Sequence, residues 1–185
     1  MIDVTRLSDW PKHLEPVGLG DGNQPPFEEW WGVAASELGH LGREVAEQWP
    51  YRHWNHSPYS DIPFNELDVC RVVWAAEQVL ERLFVSDRKF VLADYDYGVF
   101  YESKNPGEDA LEPGRRMLET GTWRTPVLAL ETPNGFIHRE GSFPDQRYLL
   151  IEGHCRHRCL NALYARGQAA PHHEILLLNW EGRKA

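Results

Sequence analysis

The stretch that decides the fold is residues 148–163, which read Tyr-Leu-Leu-Ile-Glu-Gly-His-Cys-Arg-His-Arg-Cys-Leu-Asn-Ala-Leu. Residues 148–151 contain no charged side chain, which is typical of a strand that is buried on both faces. Gly153 permits a sharp turn, and residues 159–165 predict a helix that Gly167 ends. The sequence therefore predicts a buried strand, a tight turn and a helix.

The start of this helix has the composition of an anion site. The first main-chain N–H groups of a helix have no intrahelical acceptor and lie at the positive end of the helix dipole. Arg156 adds a forked guanidinium group that suits phosphate oxygens, and His154 adds a donor that is neutral or charged near pH 7. These residue types predict a pocket for a compact anion, most naturally a phosphate group.

Further strands are predicted on both sides of this unit. Residues 126–130 and 174–178 are short apolar runs, as expected for strands. The other predicted elements of this half are strands over 90–93 and 99–101, a helix over 110–120 that Gly121 ends, a turn over 132–135 and a polar loop over 138–147. This alternation predicts an α/β or α+β domain.

The first half of the chain predicts helices behind an irregular leader. Residues 1–26 are rich in Pro and Gly and predict a leader that lies on the surface. Residues 27–49 carry apolar side chains every three or four positions, which predicts one amphipathic helix of about six turns. A second helix is predicted from Asn65 as its N-cap, with an apolar face made of Val69, Val72, Val73, Ala76, Val79, Leu80 and Leu83.

Size and charge restrict the class of protein. A chain of 185 residues fits one compact domain, and we expect residues 1–60 to pack as a helical extension on a domain over 61–185. The formal net charge is -9, which disfavours binding to a nucleic-acid backbone and leaves a DNA-associated factor as the third hypothesis. The sequence shows no membrane span and no secretory signal, and it has three cysteines. We therefore expect a cytoplasmic protein.

The segment Glu152-Gly153-His154-Cys155-Arg156 resembles the signature box of the ParB/sulfiredoxin superfamily. In those proteins a strand is followed by Gly, by Glu, His or Cys, by Arg or His, by Arg and then by a helix. The free-serine kinases, whose box reads Asp-Gly-His-His-Arg, have the most similar version. Residues 62–67 resemble the opening strand and turn of that fold, and Gly121 with residues 125–127 resembles the segment before its second strand. The resemblance covers residues 61–180 and implies a small mixed sheet with helices.

The resemblance also implies a function. The box would hold the phosphates of ATP or CTP with Mg²⁺, in an enzyme that hydrolyses the nucleotide or transfers its γ-phosphoryl group, or in a binding switch. The implied nucleotide-binding residues are Gly153, His154, Cys155, Arg156 and Arg158. The implied catalytic residues are Glu152, His154 and Arg156, and Glu152 is also the implied Mg²⁺ ligand. Cys155 stands where an Arg or His is usual in the family, which removes one donor.

Other interpretations of these residues stay open. The box is also consistent with a strand-to-helix turn that has no ligand, and Cys155 at a helix start has the setting of a nucleophile. Zinc is a further alternative, although the spacing is poor and Cys159 suits packing on the inner helix face. The zinc alternative uses His154, Cys155, His157, Cys159, His172 and His173.

The second functional hypothesis is a protein-interaction module without catalysis, similar in role to an immunity protein or antitoxin. Residues 1–70 hold 4 basic and 12 acidic side chains, a net charge of -8, and would form the face that binds a protein partner. Trp54, in a proline-flanked loop, is the predicted exposed aromatic of that face.

Overall fold

The computed structural model describes residues 1–5, 10–16, 24–54, 57–59, 62–86 and 116–180. The strands predicted over 90–93 and 99–101 lie outside the described residues, as does most of the helix predicted over 110–120. Residues 116–120 are helical, and this helix ends at Gly121 as predicted, with the amide of Gly121 donating to the carbonyl of Met117 over 2.8 Å.

A five-stranded mixed sheet forms the centre of the fold. In spatial order its strands are β2 (Leu67–Ala75), β8 (His172–Trp180), β4 (Val127–Glu131), β7 (Tyr148–Glu152) and β3 (Leu83–Phe84). The pairs β2–β8 and β4–β7 are antiparallel, whereas β8–β4 and β7–β3 are parallel. The three inner strands are the apolar runs that the sequence predicts, and those predictions are confirmed.

The helices and a second sheet surround these strands. Besides the helical residues 116–120, the described α-helices are α1 (Phe27–Leu38), α2 (Arg43–Ala46), α3 (Ala76–Arg82) and α4 (His154–Ala165). Short 3-10 turns cover Lys12–Leu14, Gly39–Leu41 and Phe64–Glu66, and a π-helical turn covers Glu47–Tyr51. The second sheet contains β1 (Ile2–Asp3), β5 (Phe136–His138) and β6 (Gly141–Phe143).

The central sheet separates two hydrophobic clusters. On β4, Leu128 and Leu130 pack in one cluster, and Val127 and Ala129 pack in the other, because successive side chains of a strand point to opposite faces. The first cluster is rich in aromatic side chains from the N-terminal helices, and the second contains residues of α3 and α4. The protein is thus of mixed α/β class.

The helix predicted from Asn65 is wrong for its first half. Residues 67–75 form strand β2, and only residues 76–82 are helical. All nine residues of β2 pair with β8, from Leu67 opposite Trp180 to Ala75 opposite His172. The valines that look like one helical face are β-branched, and such residues fit a strand that has a pairing partner.

The predicted long helix over 27–49 is also interrupted. The α-helix ends at Leu38, a 3-10 turn follows, and Gly42 has φ 80° before α2 begins. A residue at positive φ cannot continue a right-handed helix. The break turns α2 and the π-helical turn back toward the sheet, where Trp49 packs in the first cluster.

Two further expectations for polar or exposed segments are wrong. The predicted loop over 138–147 contains part of an antiparallel hairpin, in which Phe136 pairs with Phe143. The predicted surface leader buries Val4, Trp10 and Leu14 in the first cluster, and the indole N–H of Trp30 donates to the carbonyl of Leu14 over 2.7 Å. These apolar side chains cover the N-terminal helices.

Trp54 is not an exposed recognition aromatic. Its relative exposure is 8%, and its ring lies 5.0 Å from the ring of Trp10, centroid to centroid. The interaction-module hypothesis thereby loses the aromatic side chain that it predicted at the surface. Among the helices of the described ranges, none has the length and hydrophobicity needed to cross a membrane.

Candidate functional site

The turn between β7 and α4 requires glycine for two reasons. Gly153 has φ 102°, a conformation that side chains rarely adopt. A Cβ atom at this position would also lie 2.6 Å from Cγ1 of Val127, at the start of β4. The backbone of Gly153 therefore packs directly against the neighbouring strand, and α4 begins one residue after β7 ends.

The register of β7 shifts just before this turn. Leu128 is paired with Glu152 and Ala129 with Leu150, so that Ile151 is an extra residue in β7. Such irregularities bend a strand and redirect the side chains that follow, and they occur often beside functional sites. Glu152 is thus presented at the end of β7 with its side chain half-buried.

The N-terminus of α4 is uncapped by any side chain. The first intrahelical hydrogen bond runs from the amide of His157 to the carbonyl of Gly153, over 2.8 Å. The amides of His154, Cys155 and Arg156 therefore precede the intrahelical ladder, and no side chain caps the helix. The first turn holds no acidic residue, although acids are favourable at a helix start. Free main-chain amides at a helix start favour an anion.

The guanidinium group of Arg156 is committed to protein acceptors. Its Nη1 donates to the carbonyls of Thr125 and Pro126 at 2.6 and 3.0 Å, and its Nη2 donates to Oε1 of Gln48 at 3.0 Å. The same Nη2 lies 3.4 Å from Oε1 of Glu152. Burial lowers the pKa of Arg156, and the charge of Glu152 opposes that change. Arg156 thus joins α4 to the entry of β4 and to the π-helical turn.

Glu152 lies between two basic side chains. Its Oε2 is 3.5 Å from Nε2 of His53, and its Oε1 faces Arg156. The side chain of Glu152 is 27% exposed and that of His53 is 39% exposed, so both are partly open to solvent. A carboxylate beside an imidazole orients the ring and stabilises its protonated form, as in acid–base catalysis.

The pKa of His154 is lowered by its surroundings. Burial lowers its pKa, the negative charge of Glu152 opposes this change, and the positive charges of Arg158 and Arg156 lower the pKa further. A neutral imidazole has one donor and one acceptor nitrogen. His154 is thus a hydrogen-bonding group at neutral pH, and an arriving anion would raise its pKa.

The remaining predicted site residues lie on the first two turns of α4. Cys155 is exposed, and Arg158 is half-buried. Cys159 is buried in the second cluster, which confirms its predicted packing, and burial raises the pKa of its thiol to about 11. The described ranges include all six side chains of the zinc alternative, and within these ranges no three His, Cys, Asp or Glu side chains form a metal-binding group.

Sequence reasoning missed Gln48 and His53 as members of this site. Gln48 is 6% exposed, its Oε1 accepts from Arg156, and its Nε2 has no hydrogen-bond partner among the described residues. An unsatisfied buried donor costs free energy. Gln48 is 108 residues from Arg156, and no local pattern marks it. No local pattern assigns His53 to this site either, although the sequence over 50–60 contains two histidines.

Comparisons with known proteins add no relative to this description. No protein-family model, no curated protein and no solved structure gives a significant match to the chain.

Proposed function

We propose that this protein is a nucleotide-binding enzyme of ParB/sulfiredoxin-like fold that holds nucleotide phosphates at the N-terminus of α4. The nucleotide is ATP or CTP, and the reaction is hydrolysis or transfer of the γ-phosphoryl group. The observation that carries the proposal is the uncapped start of α4, a helix of twelve residues whose first turn contains basic but no acidic side chains. Main-chain amides at such a position bind phosphate groups in many proteins.

The buried amide of Gln48 supports the same proposal independently. Its Oε1 accepts from Arg156, which fixes Nε2 as the free donor, because the reverse assignment would oppose two N–H donors. Nε2 has no acceptor in the described parts of the chain. A phosphate oxygen beside α4 would remove the cost of this unsatisfied donor.

In the proposed site Arg156 supplies positive charge and keeps Gln48 in position. Four N–H directions of its guanidinium already meet protein acceptors, so it attracts the anion through its charge and holds Gln48 in place. His154, Cys155 and Arg156 contribute amides, and Gly153 lets α4 begin directly against Val127. Arg158 adds a second positive charge on the next turn.

The proposed acid–base group is His53, with Glu152 as its partner. In the proposed reaction His53 takes the proton from the attacking water or acceptor hydroxyl, and Glu152 stabilises the imidazolium that forms. Both oxygens of Glu152 already face basic side chains, so Mg²⁺ binding at Glu152 would have to displace one of them. The magnesium role of Glu152 stays a prediction, and no step of the proposed reaction depends on it.

A thermal-unfolding series tests the binding half of the proposal. ATP and CTP at 100 times Kd are expected to stabilise the fold by about 2.7 kcal/mol, and adenosine and cytidine, which lack phosphate, are expected to give no shift. If no nucleotide at millimolar concentration moves the transition or gives calorimetric heat, the phosphate site is wrong.

The variant Gln48→Glu tests nucleotide binding while keeping a hydrogen-bond acceptor for Arg156 in the folded protein. The new carboxylate keeps an acceptor for Arg156 but places a negative charge beside the bound phosphate, so nucleotide affinity is expected to fall by tenfold or more. Gln48→Met, which has similar size and no charge, is the control and is expected to lose less affinity. Equal nucleotide affinity of wild type and Gln48→Glu would contradict the position of the phosphate.

Glu152→Gln tests the catalytic half. The amide keeps the size of the side chain but cannot stabilise a protonated His53, so phosphate release is expected to fall by roughly 10² or more while nucleotide binding persists. If the wild type binds nucleotide but releases no phosphate, with or without an added acceptor, the protein is a nucleotide-binding switch and not an enzyme. Equal rates in both proteins would remove Glu152 from the mechanism.

A further inference from the structure

A cavity of about 320 Å³ lies between three segments of the N-terminal half of the chain. It is lined from the first segment by Trp10 and Leu14, from the end of α1 by Glu37 and Leu38, and from the entry to β2 by Phe64 and Asn65. Its volume is at the lower end of the range of small-molecule sites, about 300 to 1,000 Å³. The cavity therefore suits a small ligand, such as one ring with a short chain.

About half of the cavity wall is apolar. Trp10, Leu14, Leu38 and Phe64 are all buried members of the first cluster. The rings of Trp10 and Phe64 lie 4.7 Å apart, centroid to centroid, with 39° between their planes. Aromatic surfaces of this kind bind the apolar body of a ligand, and their ring faces attract positive charge.

The charged group on the wall is the carboxylate of Glu37. Its Oε1 lies 2.6 Å from Nε2 of His13, and Oε2 has no partner among the residues that the structure describes. None of the residues that line the cavity is basic. Residues 1–70 carry a net charge of -8, so the surrounding potential attracts cations and repels anions.

We propose that this cavity binds a small organic cation, an amine attached to one apolar ring or short chain. The apolar body packs against Trp10 and Phe64, and the ammonium group lies at the free oxygen of Glu37. The site is separate in composition from the phosphate site, because it presents a carboxylate and aromatic rings in place of amides and guanidinium groups.

Three probes of similar shape and different charge test the proposal by calorimetry at neutral pH. They are 2-phenylethylamine as the cation, 2-phenylethanol as the neutral alcohol and 3-phenylpropionate as the anion. We expect the cation to bind about tenfold more tightly than the alcohol, from the ring faces and the carboxylate together, and the anion not to bind. Absence of cation binding, or equal binding of cation and anion, would overturn the proposal.

The variant Glu37→Gln distinguishes the effect of the Glu37 carboxylate from the effect of the negative charge of residues 1–70 as a whole. Because Glu37 is 49% exposed, its loss is expected to weaken the amine only about threefold and to leave the alcohol unchanged. Glu15→Gln removes the same charge from the same region without lining the cavity and is expected to change neither probe. If Glu37→Gln and Glu15→Gln act alike on the amine, Glu37 is not its partner.

Discussion

Two helices of equal length begin in opposite ways in this protein. Both α1 and α4 have twelve residues and no side-chain cap. The first turn of α1 contains Glu28 and Glu29, and Arg43 pairs with Glu28. The start of α4 instead has Gly153 at a positive φ, no acid in its first turn and Arg156 in its place.

The difference shows which of the two helices has acidic side chains of its own at its positive end. Carboxylates at the start of α1 satisfy the positive end of its dipole. At the start of α4 basic residues add to that positive end, and the nearby carboxylate of Glu152 already faces Arg156 and His53. The start of α4 thus has no carboxylate in its first turn, as the proposed anion site requires, and the following changes are expected to affect the two helices differently.

The largest expected effect is that of Arg156→Ala on folding. The change leaves two carbonyls, Gln48 and Glu152 without their common donor, and breaking such a buried set costs about 4 kcal/mol. Glu28→Ala, which removes the exposed ion pair at the start of α1, is expected to cost under about 1 kcal/mol. Urea unfolding measures both. A loss below about 1 kcal/mol for Arg156→Ala would show that its hydrogen bonds do not hold α4 to β4.

Gly153→Ala is expected to have the next largest effect. The new Cβ would have an unfavourable φ and would lie 2.6 Å from Val127, for a total cost of about 3 kcal/mol. Gly167→Ala is the matched control at the other end of α4, because Gly167 also has a positive φ but no atom near its Cβ position. It is expected to cost about 1 kcal/mol. Equal losses of unfolding free energy would contradict the close packing of the turn.

A smaller effect is expected from pH. The pKa of His154 is lowered in the folded state, so as pH falls below about 6.5 the unfolded chain takes up the proton first and stability decreases. His173 contributes in the same direction, because burial lowers its pKa as well. His154→Gln is therefore expected to flatten the decrease between about pH 7 and 5 without removing it.

Adding inorganic phosphate makes this pH test specific for the proposed anion site. NMR titration of the two imidazoles is expected to show that inorganic phosphate raises the pKa of His154 and leaves that of His173 unchanged, because only His154 lies at the start of α4. If phosphate moves both imidazole pKa values together, or moves neither, the anion is not bound beside His154.

The smallest expected change in stability is a gain. Cys155→Asp places an acid on the exposed second residue of α4 and is expected to stabilise the fold by about 0.5 kcal/mol. The same carboxylate is expected to compete with phosphate and to weaken nucleotide binding by tenfold or more. Cys155→Asn is the uncharged control. If Cys155→Asp raises stability but leaves nucleotide affinity unchanged, the nucleotide does not bind at the start of α4.

Much of the fold could be predicted from local sequence. The runs over 126–130, 148–151 and 174–178 are apolar enough to be inner strands, and Gly121 and Gly167 end their helices. The prediction of one long helix is wrong because Gly42 has a positive φ. Glycine can adopt a positive φ but also occurs in helices, so its presence in the sequence does not predict a break. The spacing of the apolar residues predicted one helix and did not locate the break.

The errors over 65–75 and in the site come from long-range contacts. Val73 pairs with Glu174 in the sheet, and this pairing outweighs the helical spacing of the valines. In the site, Gly153, His154 and Arg156 could be predicted because they are neighbours in sequence. Gln48 and His53 reach them from across the sheet, and a single sequence contains no signal for such a meeting.

The most direct test of the phosphate site is an NMR titration of ¹⁵N-labelled protein with ATP, CTP and the corresponding nucleosides. We expect the amide signals of His154, Cys155 and Arg156 to shift progressively with either nucleotide and to remain in place with adenosine or cytidine, because the phosphate oxygens accept from these amides. Amide signals at the start of α4 that stay unchanged at millimolar nucleotide, or that respond equally to nucleosides, would contradict the site.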